Sequence, residues 1–329
     1  MDSQQNLSKN LPILLLLRSP SVPPFFFFKP QLQAQFHLLD PLDSSEPTHS
    51  FLTRHAPSVL ALLCVGGTPV SSQTLSLLPS LKLVVASSAG LNHIDLQECR
   101  RRGIAVTTAG QAFSEDVADF AVGLLIDVLR RISASDGYVR SRSWVTKGPY
   151  PLGAKLSGKR IGIVGLGRIG SEVAKRLVSF GCSIAYWSRK EKPSVPYAYH
   201  STVNDLAKNS DALILCCSLT EETHHMIDHG VMEALGKEGV IINVGRGGLI
   251  DEKELVKFLV QERIGGAGLD VYEDEPRVPP ELFGMENVVL APHASVYTPE
   301  SSAALQELVI GNLKAFFSNE PLLSKAQLE

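Results

Sequence analysis

The chain has 329 residues, but it has few cysteines and little net charge. The five cysteines are an odd number, include the adjacent pair Cys216 and Cys217, and show no CxxC spacing. This pattern argues against a disulfide framework and against a structural zinc site, and it favours a reducing compartment. The 31 basic and 34 acidic residues give a formal net charge of -3, so the strongly basic balance of many nucleic-acid-binding proteins is missing.

Long hydrophobic runs are missing as well. The first apolar stretch, residues 11–17, is interrupted by Pro12 and followed by Arg18, and it is too short to span a membrane. It has neither a basic lead nor a small-residue cleavage site, so we predict no secretory signal. The four aromatic residues at 25–28 are interpreted as core. We therefore expect a cytoplasmic protein that binds neither membranes nor nucleic acid.

The sequence does contain enough apolar material, 44% hydrophobic residues, for a packed core, and its length suits two domains. Short apolar runs alternate with helical patterns along the chain, which predicts α/β domains with parallel sheets covered on both faces. In the first third, strands are predicted at residues 13–17, 59–65, 83–86 and 104–106. The second series predicts strands at residues 160–164, 183–187, 212–216, 240–244, 266–271 and 288–290.

Helices are predicted where the apolar spacing changes to 3.6 residues. An amphipathic helix follows Ser114, a second begins after the N-cap Asp251, and a third begins after Thr298 and runs to about residue 317. The stretch at residues 136–153 is polar, aromatic and contains proline, and it is interpreted as an extended arm.

A GxGxxG sequence at residues 165–170 directly follows the predicted strand 160–164 and opens a helical pattern. A second strand follows that helix, as a dinucleotide-binding βαβ unit requires. The glycines allow a tight turn and a close approach of the backbone to a pyrophosphate at the helix N-terminus. The residues assigned to the cofactor here are Gly165, Leu166, Gly167, Arg168 and Ile169.

The end of the second strand of this unit favours NADPH. NAD-binding sites usually place an acid there to hold the ribose 2′-hydroxyl, but this chain has Trp187 followed by Ser188, Arg189 and Lys190. An acid would repel a 2′-phosphate, whereas the guanidinium of Arg189 can bind one with two hydrogen bonds. The alternative is an ordinary solvated basic turn. We expect NADPH as cofactor and weaker use of NADH.

Three polar side chains follow strand ends in the second series. Arg246 lies in a glycine-rich segment after the strand 240–244, Glu275 follows the strand 266–271, and His293 follows the strand 288–290. Ligands of open parallel sheets bind outside the carboxyl ends of the strands. His293 is suited to donate a proton to a carbonyl oxygen, Glu275 to stabilise its imidazolium, and Arg246 to bind a carboxylate or polarise the carbonyl. Each residue alone could be a solvated surface group, but their common position favours catalysis.

Together, the segments GLGRIG, NVGRGGLID, GLDVYEDEP and APHAS resemble those of the D-isomer-specific 2-hydroxyacid dehydrogenase family. Within it the chain is similar to the NADPH-dependent glyoxylate/hydroxypyruvate reductases and hydroxyphenylpyruvate reductases of plants. The resemblance implies Arg246, Glu275 and His293 as catalytic residues. It also implies that Asp270 and Val244 contact the cofactor, and that Gly66, Ala89 and Gly90 bind the substrate. Many members have Asp where Trp187 stands, which agrees with the choice of NADPH.

The resemblance further implies two Rossmann-like domains, a flavodoxin-like substrate domain interrupted by a doubly wound dinucleotide-binding domain. Residues 1–108 and 297–329 would form the substrate domain and residues 109–296 the cofactor domain, with substrate in the cleft between them. Family members are typically homodimers, so Trp144 in the arm could reach the partner's active site. A solvent-exposed loop is the alternative for the arm. No metal is implied.

The predicted function is reduction of a small 2-oxo acid by hydride transfer, glyoxylate to glycolate or hydroxypyruvate to D-glycerate. One alternative is an aromatic substrate, hydroxyphenylpyruvate, since the sequence does not show the shape of the pocket. The alternative from another class is a cofactor-sensing corepressor-like protein. The absent acid at the second strand end and the absence of a long disordered tail argue against it.

Overall fold

The computed structural model describes residues 11–20, 22 and 27–327. The chain divides into two compact units, Met1–Phe113 with Thr298–Glu329 as unit 1 and Ser114–Tyr297 as unit 2. The described strands are β1 Ile13–Leu17, β2 His37–Leu39, β3 Ala61–Cys64, β4 Leu83–Ala86, β5 Ala105–Thr107, β6 Arg160–Val164, β7 Ser183–Trp187, β8 Ala198–Tyr199, β9 Ala212–Leu215, β10 Val240–Asn243, β11 Gly266–Leu269 and β12 Val288–Leu290.

Helices cover both sheets. They are α1 Lys29–Gln33, α2 Thr48–His55, α3 Ser72–Ser76, α4 Leu96–Arg101, α5 Ser114–Arg130, α6 Ile132–Arg140, α7 Ser143–Lys147, α8 Arg168–Ser179, α9 Val203–Lys208, α10 His229–Leu235, α11 Glu252–Val260 and α12 Pro299–Phe317. Short 3-10 helices lie at Pro41–Asp43, Gly247–Leu249 and Pro280–Gly284.

Unit 1 is built on a parallel sheet with the strand order β2-β1-β3-β4-β5. This is the flavodoxin-like order. The central strands are fully buried runs of apolar residues, because helices cover both faces of a parallel sheet. The C-terminal helix α12 packs against β4, so the two ends of the chain share one core.

Unit 2 is built on a second parallel sheet with the order β12-β11-β10-β9-β6-β7-β8. Counted from β6, the chain first adds strands on one side and then crosses to the other side at β9. This is the doubly wound order of dinucleotide-binding domains, whose ligands bind where the order reverses. The prediction of two α/β domains, one flavodoxin-like and one doubly wound, is confirmed.

The predicted caps and most strands are found close to their expected positions. The side chain of Asp251 caps α11 by accepting from the backbone N–H of Glu254, and Thr298 caps α12 by accepting from that of Ser301. Several strands are shorter at one or both ends than predicted, and α5 includes Ser114 as its first residue. The strands β2 and β8, which have three and two residues, are not among the predicted strands.

The interpretation of residues 136–153 as an extended arm is wrong up to Lys147, because most of that part is helical. Helix α6 continues to Arg140 and α7 spans Ser143–Lys147. All residues of both helices, which lie within the described part of the chain, are at least partly exposed. Neither helix has a buried residue and both are short, so the sequence offers no long apolar stripe from which to predict them.

The aromatic run at residues 25–28 is only partly within the described residues. Phe27 and Phe28 are buried, as predicted for core residues, whereas residues 25 and 26 lie outside the described residues. The five cysteines are all described and all unpaired. Among the described residues, no helix combines the length and the apolar character that crossing a membrane requires.

Candidate active site

The glycine loop lies at the C-terminal end of β6, where the strand order of unit 2 reverses. Gly165 has a φ of +99°, and a Cβ built on it would lie 2.6 Å from the backbone nitrogen of Cys217. At Gly170 a Cβ would lie 2.2 Å from the carbonyl oxygen of Gly165, so helix and turn pack too closely for any side chain. Only glycine fits either position.

Gly167 differs from these two glycines because it faces open space. A Cβ built there would meet no described atom within 4 Å. Gly167 is also the N-cap of α8, and it has no side chain to accept from the first N–H groups of the helix. Open space at an uncapped helix N-terminus suits a phosphate group. Of the neighbouring residues, Leu166 is buried and Arg168 is exposed.

The predicted 2′-phosphate site follows β7, next to the glycine loop. Ser188 is partly exposed, and Arg189 and Lys190 are exposed. The hydroxyl of Ser188 donates to the carbonyl oxygen of Lys190 at 2.6 Å, which closes the turn. The ammonium group of Lys192 donates to the carbonyl oxygen of Leu166 at 2.5 Å. The basic turn is therefore held against the glycine loop.

Cys217 packs closely against the turn at Gly165. Burial raises the pKa of its thiol to about 12, so the thiol stays protonated at neutral pH. Its sulfur lies 3.9 Å from the sulfur of Met226. These contacts give Cys217 a structural role in the turn.

His293 and Glu275 are directly hydrogen-bonded. Nδ1 of His293 lies 2.8 Å from Oε2 of Glu275, and both side chains remain partly exposed. Burial alone would raise the pKa of Glu275, but the hydrogen bond from His293, its charge, the backbone N–H of Tyr272 and the charge of Arg246 together lower it. An ionised Glu275 holds the proton on Nδ1, which leaves Nε2 of His293 to exchange a proton with a ligand.

The backbone at His293 is in the left-handed region, with a φ of +53°. Non-glycine residues rarely adopt this conformation, so neighbouring groups must stabilise it. The carboxylate of Asp270 accepts from the backbone N–H groups of Ala294 at 2.7 Å and Ser295 at 3.1 Å. Asp270 has no exposed surface. The structure thus places this side chain under the loop of His293, and its predicted contact with the cofactor stays a prediction.

Arg246 is held by a loop that follows β10. The side chain of Asn243 accepts from the N–H of Gly245 at 3.0 Å and donates to the carbonyl oxygen of Arg246 at 2.9 Å. The guanidinium donates to the carbonyl oxygen of Gly245 at 2.7 Å. Burial lowers the pKa of Arg246, and the charge of Glu275 opposes this effect. Val244, also assigned to the cofactor, is buried in the same loop.

Two supporting residues were missed by the sequence reasoning, Asn243 and Tyr272. The hydroxyl of Tyr272 donates to the carbonyl oxygen of Ala291 at 3.0 Å, and its backbone N–H donates to Oε1 of Glu275 at 3.1 Å. Burial raises the pKa of Tyr272 to about 12, so its hydroxyl keeps its proton. Tyr272 therefore connects the segments that carry Glu275 and His293. Nothing in the sequence distinguished either residue from an ordinary strand-end residue.

The predicted substrate residues of unit 1 follow the neighbouring strands β3 and β4. The N–H of Gly66 donates to the hydroxyl of Ser87 at 2.8 Å, which links the two loops. Ala89 is exposed and Gly90 is partly exposed. Trp144, in α7 of unit 2, is 64% exposed. The roles assigned to these residues stay predictions.

Fold and site together define a dinucleotide-dependent dehydrogenase, with an imidazole–carboxylate pair and an arginine beyond the strand ends of a doubly wound sheet. The sequence model of the D-isomer specific 2-hydroxyacid dehydrogenase NAD binding domain matches residues 122–295. A glyoxylate/hydroxypyruvate reductase of Arabidopsis thaliana is 58% identical over 98% of this chain and 99% of its own length. The chain belongs to the D-isomer specific 2-hydroxyacid dehydrogenase family.

Two further relatives bear on cofactor and substrate. A hydroxyphenylpyruvate reductase of Plectranthus scutellarioides is 48% identical over 83% of this chain and 87% of its own length. The crystal structure of an NADPH-dependent glyoxylate/hydroxypyruvate reductase from Sinorhizobium meliloti, in complex with NADP and malonate, superposes with a TM-score of 0.89. That enzyme is 34% identical, and the match covers 97% of this chain and 98% of that one.

Proposed function

We propose that this protein is an NADPH-dependent reductase of small 2-oxo acids that converts glyoxylate to glycolate and hydroxypyruvate to D-glycerate. The observation that carries the proposal is the His293–Glu275 pair, with Nδ1 bound to the carboxylate at 2.8 Å. The relatives named above, which are reductases of these acids or of hydroxyphenylpyruvate, support it. They lend no support to the corepressor-like alternative.

The chemistry divides between the cofactor and the protein. NADPH, when bound, supplies the hydride that reduces the carbonyl carbon. His293, protonated on both nitrogens, donates the Nε2 proton to the carbonyl oxygen while Glu275 stabilises the imidazolium. Arg246 binds the substrate carboxylate or polarises the carbonyl, and its partial burial strengthens either interaction. The residues around them, Asp270, Tyr272 and Asn243, hold these three groups in position.

The preference for NADPH rests on the turn after β7. It offers a hydroxyl and two cations, Ser188, Arg189 and Lys190, where an acid would otherwise repel a 2′-phosphate. The backbone around Gly167, at the N-terminus of α8, would hold the pyrophosphate. NADH lacks the 2′-phosphate, so it binds more weakly.

The second candidate substrate is hydroxyphenylpyruvate, favoured by the 48% identity to the Plectranthus reductase. One panel of assays distinguishes the two. Purified protein is mixed with NADPH and each of glyoxylate, hydroxypyruvate and hydroxyphenylpyruvate, and kcat/KM is measured from NADPH oxidation. The proposal is supported if kcat/KM is highest with glyoxylate or hydroxypyruvate. If kcat/KM is highest with hydroxyphenylpyruvate, the second candidate is supported instead. Failure to oxidise NADPH with all three acids would reject both.

The proposal includes a homodimer in the cytoplasm, in which unit 1 binds the substrate and unit 2 binds the cofactor. Support for the dimer comes from exposed apolar side chains on the arm, Trp144 at 64% and Val145 at 89%. Light scattering of the wild type and of the double variant Trp144→Ser, Val145→Ser tests the dimer, because only the variant should be monomeric.

The five unpaired cysteines support a reducing compartment, and a fluorescent fusion would locate the protein.

A further inference from the structure

Three side chains that can ligate a metal meet on unit 2 outside the site described above. Ligand atoms of His224, His225 and Glu273 all lie within 4.8 Å of one another. Nε2 of His225 is 2.8 Å from Oε1 of Glu273. The two imidazole rings are stacked with their centroids 3.9 Å apart, so the exposed ring of His224 has to rotate before a nitrogen of each ring can point at one ion. The reaction proposed above uses none of these side chains, so their convergence has no catalytic explanation.

The backbone brings the two imidazoles to the same side. His225 has a φ of +52°, in the left-handed region that residues other than glycine rarely adopt. Two backbone hydrogen bonds hold the segment in this shape, from His224 to the carbonyl oxygen of Thr220 at 2.9 Å and from His225 to that of Gly248 at 2.8 Å. An unfavourable backbone conformation maintained by its surroundings often marks a functional position.

The donor set is that of a transition-metal site. Two imidazole nitrogens and one carboxylate oxygen, with a fourth position for water, form a common zinc site. Mg²⁺ and Ca²⁺ prefer oxygen ligands to imidazole nitrogens. About a third of each of the His225 and Glu273 side chains is exposed, so an ion can enter. The Glu252 carboxylate accepts from the backbone N–H of Glu273 at 3.1 Å and adds a second negative charge nearby.

We propose that His224, His225 and Glu273 bind one divalent transition-metal ion of the zinc class per chain. The ion links the turn at residues 224–225 to the segment that contains Glu273. The same segment carries Glu275, two residues further on. The ion therefore stabilises this part of unit 2 without entering the reaction. The spacing of the cysteines argues against a structural zinc site built from cysteines. The site proposed here is a different one, because all its ligands are imidazoles or carboxylates.

Calorimetric titration of chelator-treated, full-length protein with zinc chloride tests the proposal. We expect one equivalent to bind to the wild type, and binding at least about tenfold weaker in His224→Asn and in Glu273→Gln, because each loses one ligand. The matched control is His229→Asn. His229 forms a similar exposed pair with Glu254 at 3.0 Å but has no second imidazole in it, so this variant should bind zinc like the wild type.

Thermal unfolding of the same four proteins gives a second readout. Zinc should raise the Tm of the wild type and of His229→Asn, and at the same zinc concentration it should raise the Tm of His224→Asn and Glu273→Gln less, because these variants bind the ion more weakly. Without zinc all four should unfold at similar temperatures, which shows that the variants fold. The proposal is overturned if the wild type binds no zinc. It is also overturned if His224→Asn and Glu273→Gln bind zinc like the wild type, because the ion would then lie on cysteines or on the His293–Glu275 pair.

Discussion

The backbone N–H of His293 donates to the carbonyl oxygen of Asp270 at 2.8 Å. The carboxylate of Asp270 then accepts from the N–H groups of the next two residues, so three consecutive amides of the loop bind one aspartate. A left-handed backbone conformation costs about 1–3 kcal/mol in a residue other than glycine, and these hydrogen bonds offset that cost. The direction of the His293 imidazole thus depends on a residue that has no exposed surface.

Replacing Asp270 with asparagine should destabilise the protein. The amide nitrogen of asparagine would face a backbone N–H, so one buried donor loses its acceptor, at a cost of about 1–3 kcal/mol. The free energy of unfolding in urea measures this loss. The control is Asp274→Asn, because the exposed ion pair of Asp274 with Arg277 contributes little to stability. Equal stabilities of the two variants would show that Asp270 does not support the loop.

Replacing Glu275 with glutamine should change how stability depends on pH. The pKa of Glu275 is lowered in the folded protein, so its ionised form contributes stability that is fully present above the ordinary glutamate pKa of about 4.3. That contribution is lost as the pH falls through the lowered pKa of the folded state. The wild type should therefore have a higher Tm than Glu275→Gln at pH 6, and the difference should shrink below about pH 4. A constant difference from pH 3 to pH 6 would contradict the ion pair.

Replacing Arg246 with alanine should lower kcat/KM for the 2-oxo acid by about 10²–10³-fold, because the variant loses a charged donor next to the reacting group. Arg246→Lys should recover only part of this loss, since lysine keeps the charge but lacks the planar fork. Steady-state kinetics at saturating NADPH measure both variants. Turnover of Arg246→Ala at the wild-type rate would contradict a catalytic role for Arg246.

Replacing Arg189 with alanine should raise the KM for NADPH by roughly tenfold or more, because charged hydrogen bonds contribute about 1.5–3 kcal/mol each. The KM for NADH should change little, since NADH has no 2′-phosphate for Arg189 to bind. NADH thus serves as the control within the same variant. An equal rise for both cofactors would show that Arg189 does not distinguish them.

Much of the fold and of the candidate site could be predicted from the sequence, because the sequence patterns that indicate them are local. Glycine spacing, buried-strand patterns and strand-end residues indicated both sheets, the glycine loop and the grouping of His293 with Glu275. The supporting contacts could not be predicted. Tyr272 and Asn243 act through hydrogen bonds to residues whose positions depend on the fold. The helices α6 and α7 lack a buried face, and the proximity of His225 to Glu273, 48 residues apart, appears only in three dimensions.

The most direct test of the central claim is NADPH oxidation with hydroxypyruvate by the wild type and by His293→Asn, measured side by side. The wild type should turn over, and His293→Asn should lose about 10²–10⁴-fold in kcat, the usual contribution of a general acid. The Kd of NADPH, measured by fluorescence titration, should be similar for both proteins, because His293 acts on the substrate. Equal kcat values for the two proteins, or no oxidation of NADPH by the wild type, would contradict the account.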